Sequence, residues 1–123
     1  MDDRPRLLVV EDEFIVAFEL RTVLEEMGFS VCGVVSSGEE AFQIAERERP
    51  DCVLMDVSIK GEFDGIEAAR RIRSGLGLPT AFLTGFPRDQ VMEKAHDVEP
   101  IGCFSKPLDY EELKTALDEF FAR

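Results

Sequence analysis

The chain has 123 residues and a formal net charge of −12, with 26 acidic against 14 basic side chains. This length fits a single domain with one hydrophobic core. The negative charge repels polyanions and therefore argues against DNA or RNA as a partner. No apolar run approaches the ~20 residues of a membrane span, and the N-terminus lacks the apolar region of a secretory signal. We therefore expect a cytoplasmic protein that binds neither nucleic acid nor membrane.

Short apolar runs alternate with segments of helical periodicity, which indicates alternating strands and helices. The expected strands are Arg6–Val10, Phe29–Val35, Asp51–Met55, Thr80–Leu83 and Ile101–Phe104. The expected helices are Phe14–Met27, one opening at Ser37, one opening at Asp64, Arg88–His96 and one opening at Asp109. Because such alternation builds βαβ units, we predict an α/β fold: a doubly wound, five-stranded parallel sheet with five helices on its two faces.

Several helix ends carry capping signals. Ser37, Asp64 and Asp109 each stand three residues before a Glu, the spacing at which side-chain oxygens satisfy the first backbone N–H groups of a helix. Gly28 stands where the first helix should end, and glycine is the usual residue just past a helix. These signals support the predicted helix boundaries.

Polar residues gather where the strands end, and in a doubly wound sheet ligands bind outside the carboxyl ends of the strands. The residues expected there are Glu11, Asp12, Asp56, Thr84, Lys106 and Pro107. Each acid alone would be ordinary solvated charge. Three carboxylates on adjacent strands repel one another unless a hard cation lies between them, and Mg²⁺ prefers such oxygens together with water and phosphate. The set therefore indicates a Mg²⁺ site.

The other members of this set allow an ordinary and a functional interpretation. Lys106 can simply offset the charge of the acids, or it can hold a phosphoryl oxygen as a compact point charge. Thr84 can be a routine β-branched strand residue, or its hydroxyl can donate to a phosphoryl oxygen. Pro107 allows a cis peptide bond after Lys106, which the sequence leaves open. Their position beside the acids favours the functional interpretation.

Other catalytic arrangements lack their residues. His96 is the only histidine and stands near a predicted helix C-terminus, where a cation is favoured in any case. Cys32, Cys52 and Cys103 stand singly in apolar stretches, as expected for small buried residues in a reducing compartment. Neither a P-loop nor a G-x-G-x-x-G pattern occurs, so we do not expect nucleotide binding.

Taken together, these residues resemble the receiver domain of two-component response regulators, from Leu7 to about Phe121. The shared pattern, in the family's order and spacing, is Glu11-Asp12, Asp56, Asp64-Gly65, Thr84 and Lys106-Pro107. The resemblance implies a flavodoxin-like sheet with strand order 2-1-3-4-5. It also implies that residues 1–123 form one receiver domain with no output domain.

The resemblance assigns roles around a metal ion. Asp56 would be the phosphoacceptor. Asp12, Asp56 and the backbone carbonyl of Ser58 would bind Mg²⁺ directly, and Glu11 would act through a metal-bound water. In crystals, Mn²⁺ or Ca²⁺ would be able to take the place of Mg²⁺. The chain would thus assist its own phosphorylation and slow dephosphorylation rather than turn over a substrate as an enzyme.

The resemblance also assigns the phosphoryl contacts and the partners. Lys106 and Thr84 would hold the phosphoryl oxygens, supported by Gly85 and Pro107. The donor would be a phosphohistidine on a histidine kinase or on a phosphotransfer protein of a phosphorelay. The charge added by phosphorylation would switch a surface near the fourth helix, the fifth strand and the fifth helix. The sequence identifies neither the kinase nor the downstream target.

Three departures from the common receiver pattern stand out. Asp56–Asp64 is one residue longer than usual and has Lys60-Gly61 where Met-Pro is common. Cys103 replaces the usual aromatic residue, and Phe104 should face the other side of the strand. Pro79–Phe86 (PTAFLTGF) is similar to a receiver subclass with Pro-Phe-x-Phe-Ala-Thr-Gly-Tyr. That subclass lacks the strand-five aromatic and often pairs with HWE-type histidine kinases.

Two positions bear on the lifetime of the phosphoryl group. In receivers, the residues two past the acceptor and two past the switch threonine flank the route of the attacking water, and here they are Ser58 and Phe86. The apolar ring of Phe86 would hinder water and slow dephosphorylation. Alternatively, Phe86 only packs within its loop.

Two other functions remain open. Mg²⁺-dependent phosphatases on a similar sheet also use an aspartate nucleophile, but they normally carry a second acid two residues later, where this chain has Ser58, and usually a cap domain. A receiver-like docking module that is never phosphorylated would not need the full set of acids, Thr84 and Lys106. The first alternative predicts turnover of phosphate esters, and the second predicts no phosphorylation.

Overall fold

A computed structural model describes residues 3–122 and shows in them five strands alternating with five α-helices. The strands are β1 (Arg6–Val10), β2 (Ser30–Val35), β3 (Cys52–Asp56), β4 (Thr80–Thr84) and β5 (Gly102–Ser105). The helices are α1 (Phe14–Glu26), α2 (Gly38–Glu48), α3 (Gly65–Leu76), α4 (Arg88–Ala95) and α5 (Tyr110–Phe121), with a 3₁₀ turn, His96–Val98, after α4. The ten predicted elements are all present.

The ends of three strands differ from the sequence prediction by one residue. β3, β4 and β5 each reach one residue further toward the C-terminus than predicted. Asp56 and Thr84 are therefore the last residues of their strands, inside the hydrogen-bonded sheet, where Asp56 pairs with Leu83 and Thr84 with Ser105. Because the sheet hydrogen bonds hold the backbones of Asp56 and Thr84, the Cα positions of these two residues are well defined.

All neighbouring strands are parallel, and their order is β2-β1-β3-β4-β5, which confirms the predicted flavodoxin-like sheet. α2, α3 and α4 pack on one face through a core that includes Ala41, Ile72 and Val91. α1 and α5 pack on the other face through a core that includes Leu20 and Leu117. Because the chain order reverses between β1 and β3, the loops after these two strands diverge and leave a crevice at their carboxyl ends.

Side chains alternate between the two cores along every central strand, and β3 and β4 are buried throughout. Cys103 belongs to the core under α2–α4, whereas Phe104 belongs to the core under α1 and α5. The prediction that Phe104 faces away from the usual aromatic position is therefore confirmed.

The predicted helix caps form. The side chains of Ser37 and Asp64 accept hydrogen bonds from backbone N–H groups three residues on, and Asp109 accepts from two N–H groups of the first turn of α5. Gly28 follows α1 with φ at +97°, a conformation that favours glycine. Within residues 3–122, the structure contains no helix with the length and apolarity required to cross a bilayer.

Candidate functional site

Three carboxylates meet at the carboxyl end of the sheet. Asp56 ends β3, and Glu11 and Asp12 follow β1, which pairs directly with β3. One oxygen from each of these three side chains lies within 4.8 Å of the others. Glu11 and Asp56 are buried, and Asp12 is partly exposed. The expected convergence of these residues from distant parts of the chain is thus observed.

Lys106 reaches this cluster from the loop after β5. Its Nζ atom lies 2.8 Å from Oε2 of Glu11 and 2.8 Å from Oδ2 of Asp56. Its backbone N–H donates to the carbonyl of Thr84, and its peptide bond to Pro107 is cis. Both sequence interpretations of Lys106, charge offset and a hold on a phosphoryl oxygen, place it beside the acids, and the structure adds direct ion pairs with the two buried ones.

Both oxygens of Asp56 have defined partners. The backbone N–H of Ser58 donates to Oδ1 at 3.0 Å, while Lys106 donates to Oδ2. The backbone N–H of Glu13 donates to Oε1 of Glu11 at 3.2 Å. The contacts with Ser58 and Lys106 therefore fix the orientation of the buried Asp56 carboxylate.

The electrostatics of the cluster are unbalanced. Three acids against one lysine leave a formal charge of −2 when all four groups are ionised. Burial, strengthened by the nearby Asp56, holds the pKa of Glu11 above its usual range, although Lys106 opposes this shift. Burial lowers the pKa of Lys106, but its bonds to Asp56 and Glu11 outweigh that effect and raise the pKa overall. A hard dication would balance this charge, so the oxygen donor set fits Mg²⁺.

Thr84 is buried at the end of β4, and its hydroxyl is turned toward the following loop. The backbone N–H of Phe86 donates to Oγ1 at 2.8 Å, and the hydroxyl lies 3.3 Å from the carbonyl oxygen of the same residue. Thr84 therefore stands beside the acidic cluster but is engaged with Phe86 in this state. The sequence alone did not reveal this contact.

The loop after Thr84 is more exposed than the strand. Phe82 is completely buried within β4, whereas the ring of Phe86 is 54% exposed. Gly85 has open space around the position of a side chain. Phe82 is therefore a core residue, whereas packing within the loop does not account for the exposed ring of Phe86.

The β3–α3 loop is anchored on the start of α2. Lys60 forms an isolated parallel bridge with Ser37, and the backbone N–H of Glu62 donates to Oε1 of Glu39 at 3.1 Å. The side chain of Ile59 is buried in the core. The loop that carries Lys60-Gly61 is therefore attached to its neighbours beside the site.

A second contact holds the far end of this loop. A Cβ atom at Gly38 would lie 2.5 Å from the ring of Phe63, so only glycine leaves room for this ring. The guanidinium of Arg71 lies 4.0 Å from the centroid of the same ring. At Gly65, a Cβ atom would overlap the backbone carbonyl of Asp56. Sequence reasoning missed these contacts, although two glycines next to capping residues were a usable signal.

The remaining chemically interesting residues lie elsewhere. His96 follows α4 at the end away from the site, with Nδ1 3.0 Å from the carbonyl of Glu93. Cys52 and Cys103 are buried and Cys32 is partly buried, and all three are free thiols.

The fold and the site together define a doubly wound α/β domain of the receiver type, with an acidic cluster, a threonine and a lysine at the carboxyl ends of its strands. Comparison with known proteins agrees. Residues 7–118 match the response regulator receiver domain, so the chain belongs to this family of two-component signalling proteins.

Curated relatives include proteins of different length. The chain is 34% identical over 113 residues to the transcriptional regulatory protein PdtaR of Mycobacterium tuberculosis; the match covers 92% of this chain and 55% of that protein. It is 26% identical over 116 residues to sporulation initiation phosphotransferase F of Bacillus subtilis, covering 94% and 92%. The chain thus spans about half the length of PdtaR and nearly all of the second protein.

Solved structures show the same architecture. The signal receiver domain of a modulated diguanylate cyclase from Desulfovibrio desulfuricans G20 superposes with a TM-score of 0.87 at 37% identity, covering 95% of this chain and 93% of that one. A two-component response regulator of the LuxR family from Aurantimonas sp. SI85-9A1 superposes with a TM-score of 0.89 at 29% identity, covering 98% and 86%.

Proposed function

We propose that this chain accepts a phosphoryl group on Asp56 from a phosphohistidine of a histidine kinase or phosphotransfer protein. The observation that carries the proposal is the placement of the Asp56 carboxylate. It is buried at the end of a central strand, bonded to Ser58 and Lys106, and within 4.8 Å of carboxylate oxygens of Glu11 and Asp12. A carboxylate held in this way is a suitable nucleophile for forming an aspartyl phosphate.

In this reaction, an oxygen of Asp56 forms a bond to phosphorus while the bond from phosphorus to the histidine nitrogen breaks. The imidazole leaves, and the three phosphoryl oxygens remain on Asp56. Because such transfers need little covalent help, positioning and charge neutralisation supply most of the catalysis. Lys106 Nζ lies 2.8 Å from the acceptor carboxylate, so after transfer it can bind a phosphoryl oxygen in place of that carboxylate.

Receiver domains work with Mg²⁺, which would be held here by Asp12, Asp56 and the backbone carbonyl of Ser58, with Glu11 acting through a water. When bound, Mg²⁺ neutralises charge on the transferred group. The formal charge of −2 in the cluster supports this assignment. Thr84 completes the site by donating its hydroxyl to a phosphoryl oxygen, with Gly85 and Pro107 shaping the two loops that carry Thr84 and Lys106.

The proposal includes a cytoplasmic location, which the free cysteines support. It also includes a downstream protein partner that reads the phosphorylated state. The similarity of PTAFLTGF to one receiver subclass makes an HWE-type kinase the first donor to try.

The test uses phosphoramidate as a small phosphodonor. Intact-mass measurement should show one added phosphoryl group on the wild type in the presence of Mg²⁺, and none after EDTA or in Asp56→Asn. The matched control is Asp51→Asn, an exposed acid at the other end of β3, which should be phosphorylated normally. Phosphotransfer from purified kinases then identifies the donor. Steady hydrolysis of a chromogenic phosphate ester would instead support the phosphatase, and an unmodified wild type would support the docking module.

A further inference from the structure

The hydroxyl of Thr84 contacts the backbone of the loop between β4 and α4 at Phe86. Oγ1 of Thr84 accepts from the N–H of Phe86 and lies within hydrogen-bonding distance of its carbonyl oxygen. Gly85, between them, meets nothing within 4 Å of its Cβ position, so the peptide units around it have room to rotate. The orientation of Phe86 therefore depends on where the Thr84 hydroxyl points.

A cavity of about 390 Å³ lies beside Phe86, between the β3–α3 loop and α4. It is lined by apolar side chains, Val57, Ile59, Ile66, Phe86 and Val91, and by polar ones, Ser58, Asp64, Gln90 and Lys94. An apolar cavity of ~150 Å³ already holds benzene, so the space is sufficient for a phenyl ring. The ring of Phe86 is nevertheless 54% exposed, which leaves apolar surface in water beside the apolar wall of this cavity.

Phosphorylation, if the proposed function holds, creates competition for the Thr84 hydroxyl. A hydroxyl carries one proton and donates one hydrogen bond at a time. Donation to a phosphoryl oxygen on Asp56 therefore ends its donation to the carbonyl of Phe86, and a charged acceptor forms the stronger bond. The loop then loses one of its two bonds to Thr84, and the other, from the N–H of Phe86 to Oγ1, follows the hydroxyl as it moves.

We propose that Phe86 is the aromatic switch of this chain: phosphorylation of Asp56 draws the Thr84 hydroxyl away, and the ring of Phe86 turns into the cavity between the β3–α3 loop and α4. This proposal rests on the proposed function and adds the conformational change that reports phosphorylation to a partner protein. The β5 position that usually carries the switch aromatic holds Cys103, which has no ring.

The movement has two consequences. The cavity is also lined by Ser58, two residues past the acceptor, so a ring inside it stands on the Ser58 side of the phosphoryl group. Phe86 also precedes Pro87 and Arg88, the residues that open α4, and Arg88 forms a 2.9 Å ion pair with Glu112 on α5. Turning the ring therefore displaces the start of α4 relative to α5.

The experiment uses Phe86→Trp, which introduces the only tryptophan into the chain. Phosphoramidate and Mg²⁺ should shift the Trp emission to shorter wavelength and remove most of its quenching by acrylamide, in proportion to the added phosphoryl mass. Phe86→Trp combined with Asp56→Asn should show neither change. The matched control Phe18→Trp replaces an exposed ring on α1 and should keep its emission after phosphorylation.

Because tryptophan is larger than phenylalanine, a second measurement leaves Phe86 unaltered. The methyl NMR signals of Val91 and Ile66 should show ring-current shifts on phosphorylation of the wild type, and these shifts should be missing in Phe86→Leu. Full phosphorylation without either the Trp change or the methyl shifts overturns the switch and leaves the proposed function intact. A wild type that takes no phosphoryl group overturns both.

Discussion

The hydroxyl of Tyr110, in the first turn of α5, donates a 2.9 Å hydrogen bond to a carboxylate oxygen of Glu19 on α1. The bond joins the two helices that cover the same face of the sheet. Burial, together with this bond and the charge of Glu19, raises the pKa of Tyr110 to about 12. Because the chain has one tyrosine and no tryptophan, its phenolate absorbance reports this group directly.

An alkaline titration should therefore find the phenolate transition near pH 12 in the folded protein and near the ordinary value of 10 in denaturant. The folded pKa is the higher one, so the stabilisation is complete below pH 10 and is lost as the pH rises toward 12. Glu19→Gln should lower the pKa while keeping it above 10, since burial is the largest cause. A folded-state transition at the ordinary value contradicts this prediction.

The three clustered carboxylates should lower the free energy of unfolding without metal and raise it when Mg²⁺ is bound. Without metal, Asp12→Asn removes one of three clustered negative charges and should raise the free energy of unfolding by about 1 kcal/mol. Wild type should gain ~2.7 kcal/mol from Mg²⁺ at a hundredfold excess over Kd, and the variant should gain far less. Thermal unfolding with EDTA and with Mg²⁺ measures both effects. An equal Mg²⁺ response in the two proteins would show that Asp12 does not bind the ion.

Two threonines at opposite ends of β4 should respond oppositely to the same substitution. The buried hydroxyl of Thr80 has no hydrogen-bond partner within residues 3–122, so Thr80→Val should stabilise the protein by up to about 1 kcal/mol. Thr84→Val leaves the N–H of Phe86 without its acceptor and should cost about 1–2 kcal/mol. Urea unfolding measures the free energy of unfolding of both variants and of the wild type. The same sign in both variants would contradict the hydrogen-bond assignment.

Two glycines in α3 provide a steric test of the site. Gly65→Ala places a methyl group on the backbone carbonyl of Asp56, so the strand end or the helix must move, at a cost above ~2 kcal/mol. Gly75→Ala meets only the edge of the Phe42 ring at 3.3 Å and gains helix propensity, so it should stay within about 1 kcal/mol of wild type. Gly65→Ala should also slow phosphorylation by phosphoramidate. Comparable stability and rates in the two variants would argue against this close approach.

Phe86 should also set the lifetime of the aspartyl phosphate. A ring that lies over the Ser58 side of the acceptor keeps water from the line of attack, so Phe86→Ala should dephosphorylate faster than wild type. The decay of the phosphoprotein mass after removal of the donor measures this rate. Met92→Ala, which removes another partly exposed apolar side chain from α4, is the control and should decay like wild type. Equal decay of Phe86→Ala and wild type would refute the shielding idea.

The sequence was sufficient to predict which residues meet. Glu11, Asp12, Asp56 and Lys106 are separated by up to 95 positions, yet parallel strands place their carboxyl ends at one edge of the sheet. The alternation of short apolar runs and helical segments fixed the strand count, and the resemblance supplied the strand order. This part of the site follows from topology, which a single sequence encodes strongly.

Other features depend on directions of side chains, which periodicity does not encode. The hydroxyl of Thr84 points to Phe86 because the loop has an N–H within reach, and nothing in PTAFLTGF specifies that choice. Likewise, the exposure of Phe14 and Phe18 depends on how α1 is turned on the sheet, which places Ala17 and Leu20 on the buried face. The anchoring of Lys60 on Ser37 requires two loops to be placed in space first.

The anchored β3–α3 loop ties the rim of the acidic cluster to the start of α2. Because Lys60, Glu62 and Phe63 are already attached to the start of α2, the donor protein of the proposed function would freeze few additional backbone torsions on closing over this rim. Under the proposed function, the phosphodonor therefore meets a preformed surface on this side of the crevice, and the segment from Gly85 to Pro87 is the side that adjusts.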